Sequence, residues 1–494
     1  MKTFIDLLNS TALEKKYKSA IITTKERLTY GELITCVKER AAILVRLGVK
    51  KDTIVGIVTD ESLEVLINIM AVIFSGAAYL PIDEKVPTEK LHYIISDAKL
   101  DYLIINKTFN LNTVNMFTIH IINCEVLNEV YRGEVTQILP EREPDDMMYI
   151  MYTSGSTGYP KGVIIEDQSF NTFLDAINDV LEFEKYDARV LASTSFTFDI
   201  SILETLVSLA YGATCILVNR RQKLNPKLLR DIMLKEKVNV LQFTPTYLQF
   251  FLDYFDTDLQ FFQQMRKLLI GGEKFPEVLI GKLYRYTKAD IYNCYGPTEA
   301  TIWATAARFD PNKPVSIGNS LRGYNVFIDQ KEANESLTGE ICIGGPAVAR
   351  GYLNKKELTQ KHFFINEKGS RLYRTGDLGR MNENDELEIC GRLDRQVKIK
   401  GFRVELDEIE KTIERCISNI SRAAVILTET NLIVCFYQAE EQIEREKIID
   451  SLKKQLSDYM IPIIYIWKKS LPVMINGKLN YTELKLDAGI HQKS

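Results

Sequence analysis

Tyr152-Thr153-Ser154-Gly155-Ser156-Thr157-Gly158-Tyr159-Pro160-Lys161-Gly162 is the stretch around which the rest of the chain is read. Glycine, serine and threonine dominate it and a lysine follows, so it offers close backbone approach, hydroxyl and N–H donors, and one cation. That is the chemistry of a loop that holds phosphate. It departs from the P-loop of NTPases, because the fifth residue after Gly155 is Pro160 where that motif has glycine, and Gly162 follows the lysine where it has Ser or Thr. Its flanks differ as well. Met147 to Tyr152 reads as one strand and Val163-Ile164-Ile165 as another, so phosphate would be held by a hairpin loop with no helix dipole behind it. Taken alone, the stretch has a lesser competing reading as a plain Gly/Ser-rich turn.

Composition bounds the rest of the chain. At 494 residues, 46% hydrophobic and 26% charged, it is too long for one core and splits into about two to four units of ordinary size. The formal net charge of -4 leaves no global attraction for nucleic acid, and no dense Lys/Arg tract supplies a local one. The cysteines (Cys36, Cys124, Cys215, Cys294, Cys342, Cys390, Cys416, Cys435) form no C-x-x-C pair and read as reduced core residues of a cytoplasmic protein. Four histidines, at 92, 120, 362 and 491, give little material for a zinc site or a His-based triad. The N-terminus carries Asp6 and Glu14 and no long apolar run, so no signal peptide is read there. No segment reaches the length of a membrane span, and no membrane partner is expected.

Outward from the loop the pattern is α/β. Before it, strand Ile54 to Val58, helix Leu63 to Ser75 and the run Ala77 to Asp83 alternate, followed by a helix to Asp97 and a strand Tyr102 to Ile105. After it come a helix from about Ser169 to Leu181, a strand Arg189 to Thr194, and a turn entering a helix over Phe196 to Glu204. In that turn Asp199 stands among Phe196, Phe198, Ile200, Ile202 and Leu203, and such a carboxylate needs a cationic partner. Strands Val238 to Phe243, Lys267 to Ile270 and Ile291 to Cys294 follow, the last stopping at Tyr295-Gly296-Pro297-Thr298-Glu299. Ligands of open sheets sit at such strand ends. From 315 to about 393 helices become scarce and a β subdomain is expected. The last hundred residues read as a small α+β domain, with Leu406, Ile409, Ile413 and Cys416 on one face of a helix. The expected division is therefore a large domain, 1–393, and a mobile C-terminal domain, 394–494, hinged at Asp394.

Taken in order, the motifs resemble the adenylate-forming superfamily, and within it the amino-acid adenylation domains of nonribosomal peptide synthetases. The stretches that carry the resemblance are Leu28-Thr29-Tyr30 with Glu32-Leu33, Gly76 to Asp83, Tyr152 to Val163, Phe198-Asp199, Asn293 to Glu299, Gly339 to Cys342, Tyr373 to Asp377, Gly391 to Glu410 and Asn476-Gly477-Lys478. They span nearly the whole chain.

The resemblance assigns roles that the residue chemistry accommodates. ATP would lie on Thr153, Ser154, Gly155, Ser156, Thr157, Gly158 and Lys161 at its phosphates. Asn293, Cys294, Tyr295, Gly296, Pro297 and Thr298 would meet the adenine and α-phosphate side, with Asn293 bonding the base edge and Tyr295 stacking on it. Glu299 would hold Mg²⁺, a hard cation that prefers oxygen. Asp377 would accept both ribose hydroxyls, with Arg392 beside it. Read alone, Asn293 is equally a hydrogen-bonded turn residue, Asp377 an ordinary Gly-Asp turn and Lys478 a solvated charge. In the family, the counterpart of Lys478 reaches the substrate carboxylate and the α-phosphate as charge develops.

The implied reaction has two halves. A carboxylate attacks the α-phosphate of ATP, forming an adenylate and releasing pyrophosphate. The C-terminal domain then swings, and a phosphopantetheine thiol takes the acyl group as a thioester. Only Leu479 to Ser494 follow Lys478, with no carrier attachment motif, so the acceptor is expected to be a separate carrier protein.

Asp199 resembles the aspartate that binds an α-amino group, which points to an amino acid. Ile200, Leu203, Gln242, Leu269, Gly271, Cys294, Ile302 and Trp303 match the remaining specificity positions, and the set resembles that of glycine-activating domains. Asp167 stands where the family usually has histidine, which leaves the packing of the following helix open. The competing readings are a D-alanine–carrier protein ligase, an acyl- or aryl-CoA ligase, and a degenerate scaffold component of a synthetase without activity.

Overall fold

The computed structural model describes residues 2–114, 116–128, 139–155, 158–255, 258–275, 277–329, 338–399, 401–428, 430–474 and 478–491. It divides by contact into two compact units. The first comprises 1–84, 98–151 and 162–393, and the second 85–97, 152–161 and 394–494.

In the first unit, helix starts are written locally. Thr29 accepts the Glu32 N–H while the Glu32 carboxylate accepts the Thr29 N–H, a capping box that opens helix Tyr30–Arg46. Tyr30, the first helical residue, is buried and donates its hydroxyl to Ala213 O at 2.7 Å, tying this helix to the chain entering strand Thr214–Leu217. Helix Leu63–Phe74 ends at Ser75, and Gly76, at φ +84°, turns the chain into strand Ala78–Asp83.

Among the described residues, this unit holds two large sheets. One runs Thr305–Arg308, Asp290–Tyr295, Lys267–Gly271, Val240–Phe243, Arg189–Ala192, Thr214–Leu217, Ser19–Ile22, Arg27–Thr29. Its inner pairings are parallel and its two edge pairings antiparallel. The other runs Gly351–Tyr352, Lys161–Glu166, Met147–Thr153, Ala78–Asp83, Ile54–Thr59, Tyr102–Ile105, His120–Asn123. Helices cover these strands, which explains their near-continuous apolar runs. A third, antiparallel sheet carries Asn325–Asp329, Gly339–Gly344, Arg371–Met381, Phe363–Ile365 and Leu387–Arg392, the β-rich stretch expected after 315.

The second unit has its own core, built on Ile409, Ile413, Val425, Cys435, Ile448 and Leu452. Strands Arg422–Leu427 and Ile433–Gln438 pair antiparallel, and Ile464–Lys468 joins in parallel. Arg395 anchors the start of this region, with its guanidinium on Asp407, on both carboxylate oxygens of Glu410, and over the Tyr481 ring.

Three sequence expectations change. Phe196 to Glu204 leads into a π-helical turn, Leu203–Val207, rather than a plain helix. Cys390 is exposed and not a core residue, because Leu387–Arg392 is an edge strand, whereas Cys215, Cys294, Cys342 and Cys435 are buried. Cys36 and Cys124 are only half-buried, as is Cys416 at the end of helix Leu406–Cys416. Among the described residues no helix is long and apolar enough to cross a membrane.

Candidate active site

Strand register in the first unit assembles the residues read as a specificity pocket. Gln242 lies beside Leu269, and Gly271 beside Cys294, on adjacent parallel strands. Trp303 follows two consecutive left-handed residues, Thr301 at φ +54° and Ile302 at φ +75°. A β-branched residue there is strained, and such strain gathers at functional sites. The Trp303 indole N–H donates to Gln242 Oε1 at 2.9 Å, and Gln242 Nε2 donates to Ile200 O at 2.7 Å and to Glu204 Oε1 at 2.9 Å. A Cβ on Gly271 would stand 2.7 Å from Trp303 Cη2 and 2.4 Å from the Cys294 carbonyl, so only glycine admits the indole. Ile200, Leu203, Leu269, Cys294 and Ile302 are buried with them. Asp199 is 5% exposed, and its carboxylate lies within electrostatic reach of the Tyr79 and Tyr149 hydroxyls, raising the pKa of both after the larger effect of burial.

Glu204 was not among the residues singled out from sequence. It is fully buried and accepts from the Ser193 N–H at 2.8 Å, the Thr194 N–H at 2.9 Å, the Thr194 hydroxyl at 2.6 Å, and Gln242. Burial pushes its carboxyl up in pKa while these donors pull it back. A glutamate inside Ile200-Ser201-Ile202-Leu203-Glu204-Thr205-Leu206-Val207 is the signal that could have found it.

The residues read as the nucleoside site form a second cluster. Asp377 and Arg392 face each other across paired strands, and the Arg392 guanidinium donates to Asp377 Oδ1. Tyr295 donates its hydroxyl to Asp377 Oδ2 at 2.7 Å, so its ring is fixed by the same carboxylate that was read as the ribose acceptor. The Asn293 amide donates to Ser316 O at 2.7 Å, which orients the side chain. Gly296 is sterically required, since a Cβ there would lie 2.2 Å from Ile302 O. Pro297 precedes a short 3-10 turn, Thr298–Ala300, that carries Glu299. Glu299 is fully buried and accepts the Tyr352 hydroxyl at 2.7 Å.

The loop read as the phosphate site, 152–161, belongs to the second unit. Thr153 Oγ1 is buried and has no hydrogen-bond partner among the described residues, a donor left for an acceptor such as a phosphate oxygen. Ser154 Oγ donates to Arg403 O at 2.7 Å, and Gly155 N–H to Glu408 Oε2 at 3.2 Å. Gly158, at φ +89°, leaves room for Lys411, and Tyr159 is held between the Tyr93 ring and the Arg415 guanidinium. Lys161 is buried at the start of strand Lys161–Glu166. Ser156 and Thr157 lie outside the described residues, as do Ile475, Asn476 and Gly477. Lys478 is exposed; its carbonyl accepts the Met474 N–H at 2.7 Å. Asp394 accepts the Gln396 N–H at 3.2 Å.

Asp167, where the family has histidine, accepts from Arg142 Nε at 2.6 Å. Arg142 also donates to Ala77 O and Met147 O, so the pair fastens the start of helix Asp167–Leu181.

The sequence profile of the AMP-binding enzyme family matches residues 8–353. Zwittermicin A synthase ZmaJ of Bacillus cereus is 30% identical, with 97% of this chain and 95% of that protein covered. Bacitracin synthase 3 of Bacillus licheniformis is 31% identical over 97% of this chain, which spans 8% of that protein. Among solved structures, holo-AB3403, a four domain nonribosomal peptide synthetase bound to AMP and glycine, matches with TM-score 0.73 at 29% identity over 98% of this chain and 36% of that one. The Vibrio cholerae adenylation domain AlmE, in complex with glycyl-adenosine-5'-phosphate, matches in fold with TM-score 0.82 at 23% identity over 98% of each chain. The matched profile and these relatives show the family: the chain is an AMP-binding enzyme, an adenylation domain of the nonribosomal peptide synthetase type.

Proposed function

We propose that the chain activates glycine as glycyl-adenylate and passes it to the phosphopantetheine thiol of a carrier protein. The observation that carries the substrate reading is the hydrogen bond between Trp303 and Gln242, which holds the indole over Gly271 where a substrate side chain would extend. With Asp199 receiving the ammonium, the α-carbon is fixed and little room is left beyond it. The glycine and glycyl-adenylate bound to AB3403 and AlmE agree with this reading. Structures that hold adenylation and PCP domains in one protein agree with a carrier as acceptor.

In this reading Asp377, Tyr295 and Asn293 orient the nucleoside, and Thr153 with Lys161 hold the departing pyrophosphate. Mg²⁺ on Glu299 would supply charge neutralisation at the phosphates, consistent with a single carboxylate and substrate oxygens. Lys478 serves the α-phosphate, and Asp394 is the hinge by which the C-terminal residues are repositioned for the second half-reaction.

An ATP–pyrophosphate exchange panel tests the assignment. Glycine is expected to lead, with alanine of either hand about ten- to a hundredfold weaker, and Asp199→Ala to lower exchange with every amino acid. D-alanine outrunning glycine would favour the carrier ligase that charges D-alanine. Exchange driven only by a fatty or aryl acid would refute the role given to Asp199.

A further inference from the structure

Beneath the pocket, the side chains that define it continue into a buried polar chain ending on Glu204. Trp303 gives its indole N–H to Gln242 Oε1, and the Gln242 amide gives Nε2 to Glu204 Oε1 and Ile200 O. The orientation of Gln242 is forced: turning the amide over would point its NH₂ at the indole N–H and its oxygen at a carboxylate and a carbonyl. Glu204 is itself fixed by three donors on Ser193 and Thr194. Trp303 and Gln242 are each 1% exposed and Glu204 0%, so every broken link leaves an unpaired group in the interior. The π-helical turn Leu203–Val207 places Leu203 and Glu204 in succession, Leu203 among the residues read as the pocket and Glu204 in the polar chain below it.

We propose that Glu204, which belongs to no part of the pocket surface, is a specificity-positioning residue: through Gln242 it locks the Trp303 indole over Gly271 and so sets the size limit on the substrate side chain. The inference rests on the glycine reading for the name of the substrate but not for the relay, which would set the limit for whichever small amino acid the enzyme prefers. Without the lock, the indole gains the freedom to tilt away from Gly271, and the methyl of alanine is admitted.

The test is Glu204→Gln, assayed by pyrophosphate exchange with glycine and alanine. An NH₂ at the Oε2 position would break both backbone N–H bonds from Ser193 and Thr194, whereas at the Oε1 position it faces the Gln242 NH₂ and a Thr194 hydroxyl that can turn to accept, so the Gln242 link is the one that breaks. The glycine-to-alanine ratio of kcat/KM should fall about tenfold, mostly through a lower KM for alanine. A loss that is equal for both amino acids would mean that Glu204 only supports the fold, and would overturn the proposal. Should Glu204→Gln not fold, Gln242→Leu interrupts the same chain one link nearer the pocket. Its effect on the ratio should largely disappear in a Trp303→Phe background, where no indole N–H remains to be held; an undiminished effect there would overturn the proposal. If another amino acid leads the panel, the glycine reading fails, and the relay is judged by the same ratio taken between that substrate and its next larger homologue.

Discussion

The backbone N–H of Gly155 donates to the carboxylate of Glu408 at 3.2 Å. Both groups lie in the second unit, and the neighbouring Ser154 hydroxyl donates to Arg403 O at 2.7 Å. Donors expected to receive ATP phosphate are therefore taken up by acceptors from the sequence Phe402 to Glu408, one of them an acid. Glu408 is 3% exposed; burial raises its pKa, while Lys90, the Gly155 amide and Arg415 lower it. On the proposed role of the loop, a bound phosphate and the Glu408 carboxylate compete for the same N–H.

Replacing Glu408 should therefore tighten ATP. A hydrogen bond to a charged group is worth about 1.5–3 kcal/mol, part of which ATP must displace, so Glu408→Ala should lower the KM for ATP up to about tenfold. Glu408→Gln keeps an acceptor without the charge and should lower it less. ATP titration in the exchange assay reads both. An unchanged or raised KM in the two variants would show that this carboxylate does not compete with phosphate.

Lys478 is exposed, and its carbonyl accepts the Met474 N–H. A cation that acts only as charge builds at the α-phosphate stabilises the first transition state and not the second. Lys478→Ala should lower adenylate formation by about 10²–10³-fold and leave thioester formation from preformed adenylate largely intact. Single-turnover measurement of each half-reaction separates the two, and an equal loss in both would reject the role.

How far these arrangements were legible in the sequence depends on range. The helix read as Leu63 to Ser75 is observed as Leu63–Phe74, because its signals are local: Ser62 caps its start and Gly76 ends it. The loop at Tyr152 and the strand ends at Gly271 and Tyr295 were equally local. Glu204 was missed because its donors, Ser193 and Thr194, are ten or more residues away and become neighbours only when strand Arg189–Ala192 is laid down. Glu408 lies in helix Leu406–Cys416, where it reads as part of a solvated charged face, yet it is buried and accepts the Gly155 N–H. Gln242 and Trp303 were read as pocket residues from their match to the family's specificity positions. Their hydrogen bond depends on side-chain direction, which a linear pattern does not encode.

The Asp167–Arg142 pair makes stability depend on pH in an unusual direction. Burial raises the Asp167 carboxyl from 3.8 to about 6, with Arg142 opposing the shift. An acid whose folded pKa lies above its unfolded value binds its proton more tightly when folded, so its contribution to stability is full below the unfolded value and is lost as pH rises through about 6. In Asp167→Asn the titration is absent, while Arg142 keeps its backbone acceptors at Ala77 and Met147. Other carboxylates give the whole protein its own pH profile, but they are shared by both forms and cancel in the difference. The stability of the native protein relative to Asp167→Asn should thus fall by roughly 2–3 kcal/mol between about pH 4 and pH 7, as followed by denaturant unfolding at a series of pH values. A difference that grows with pH would mean that Arg142 dominates and holds Asp167 ionised throughout.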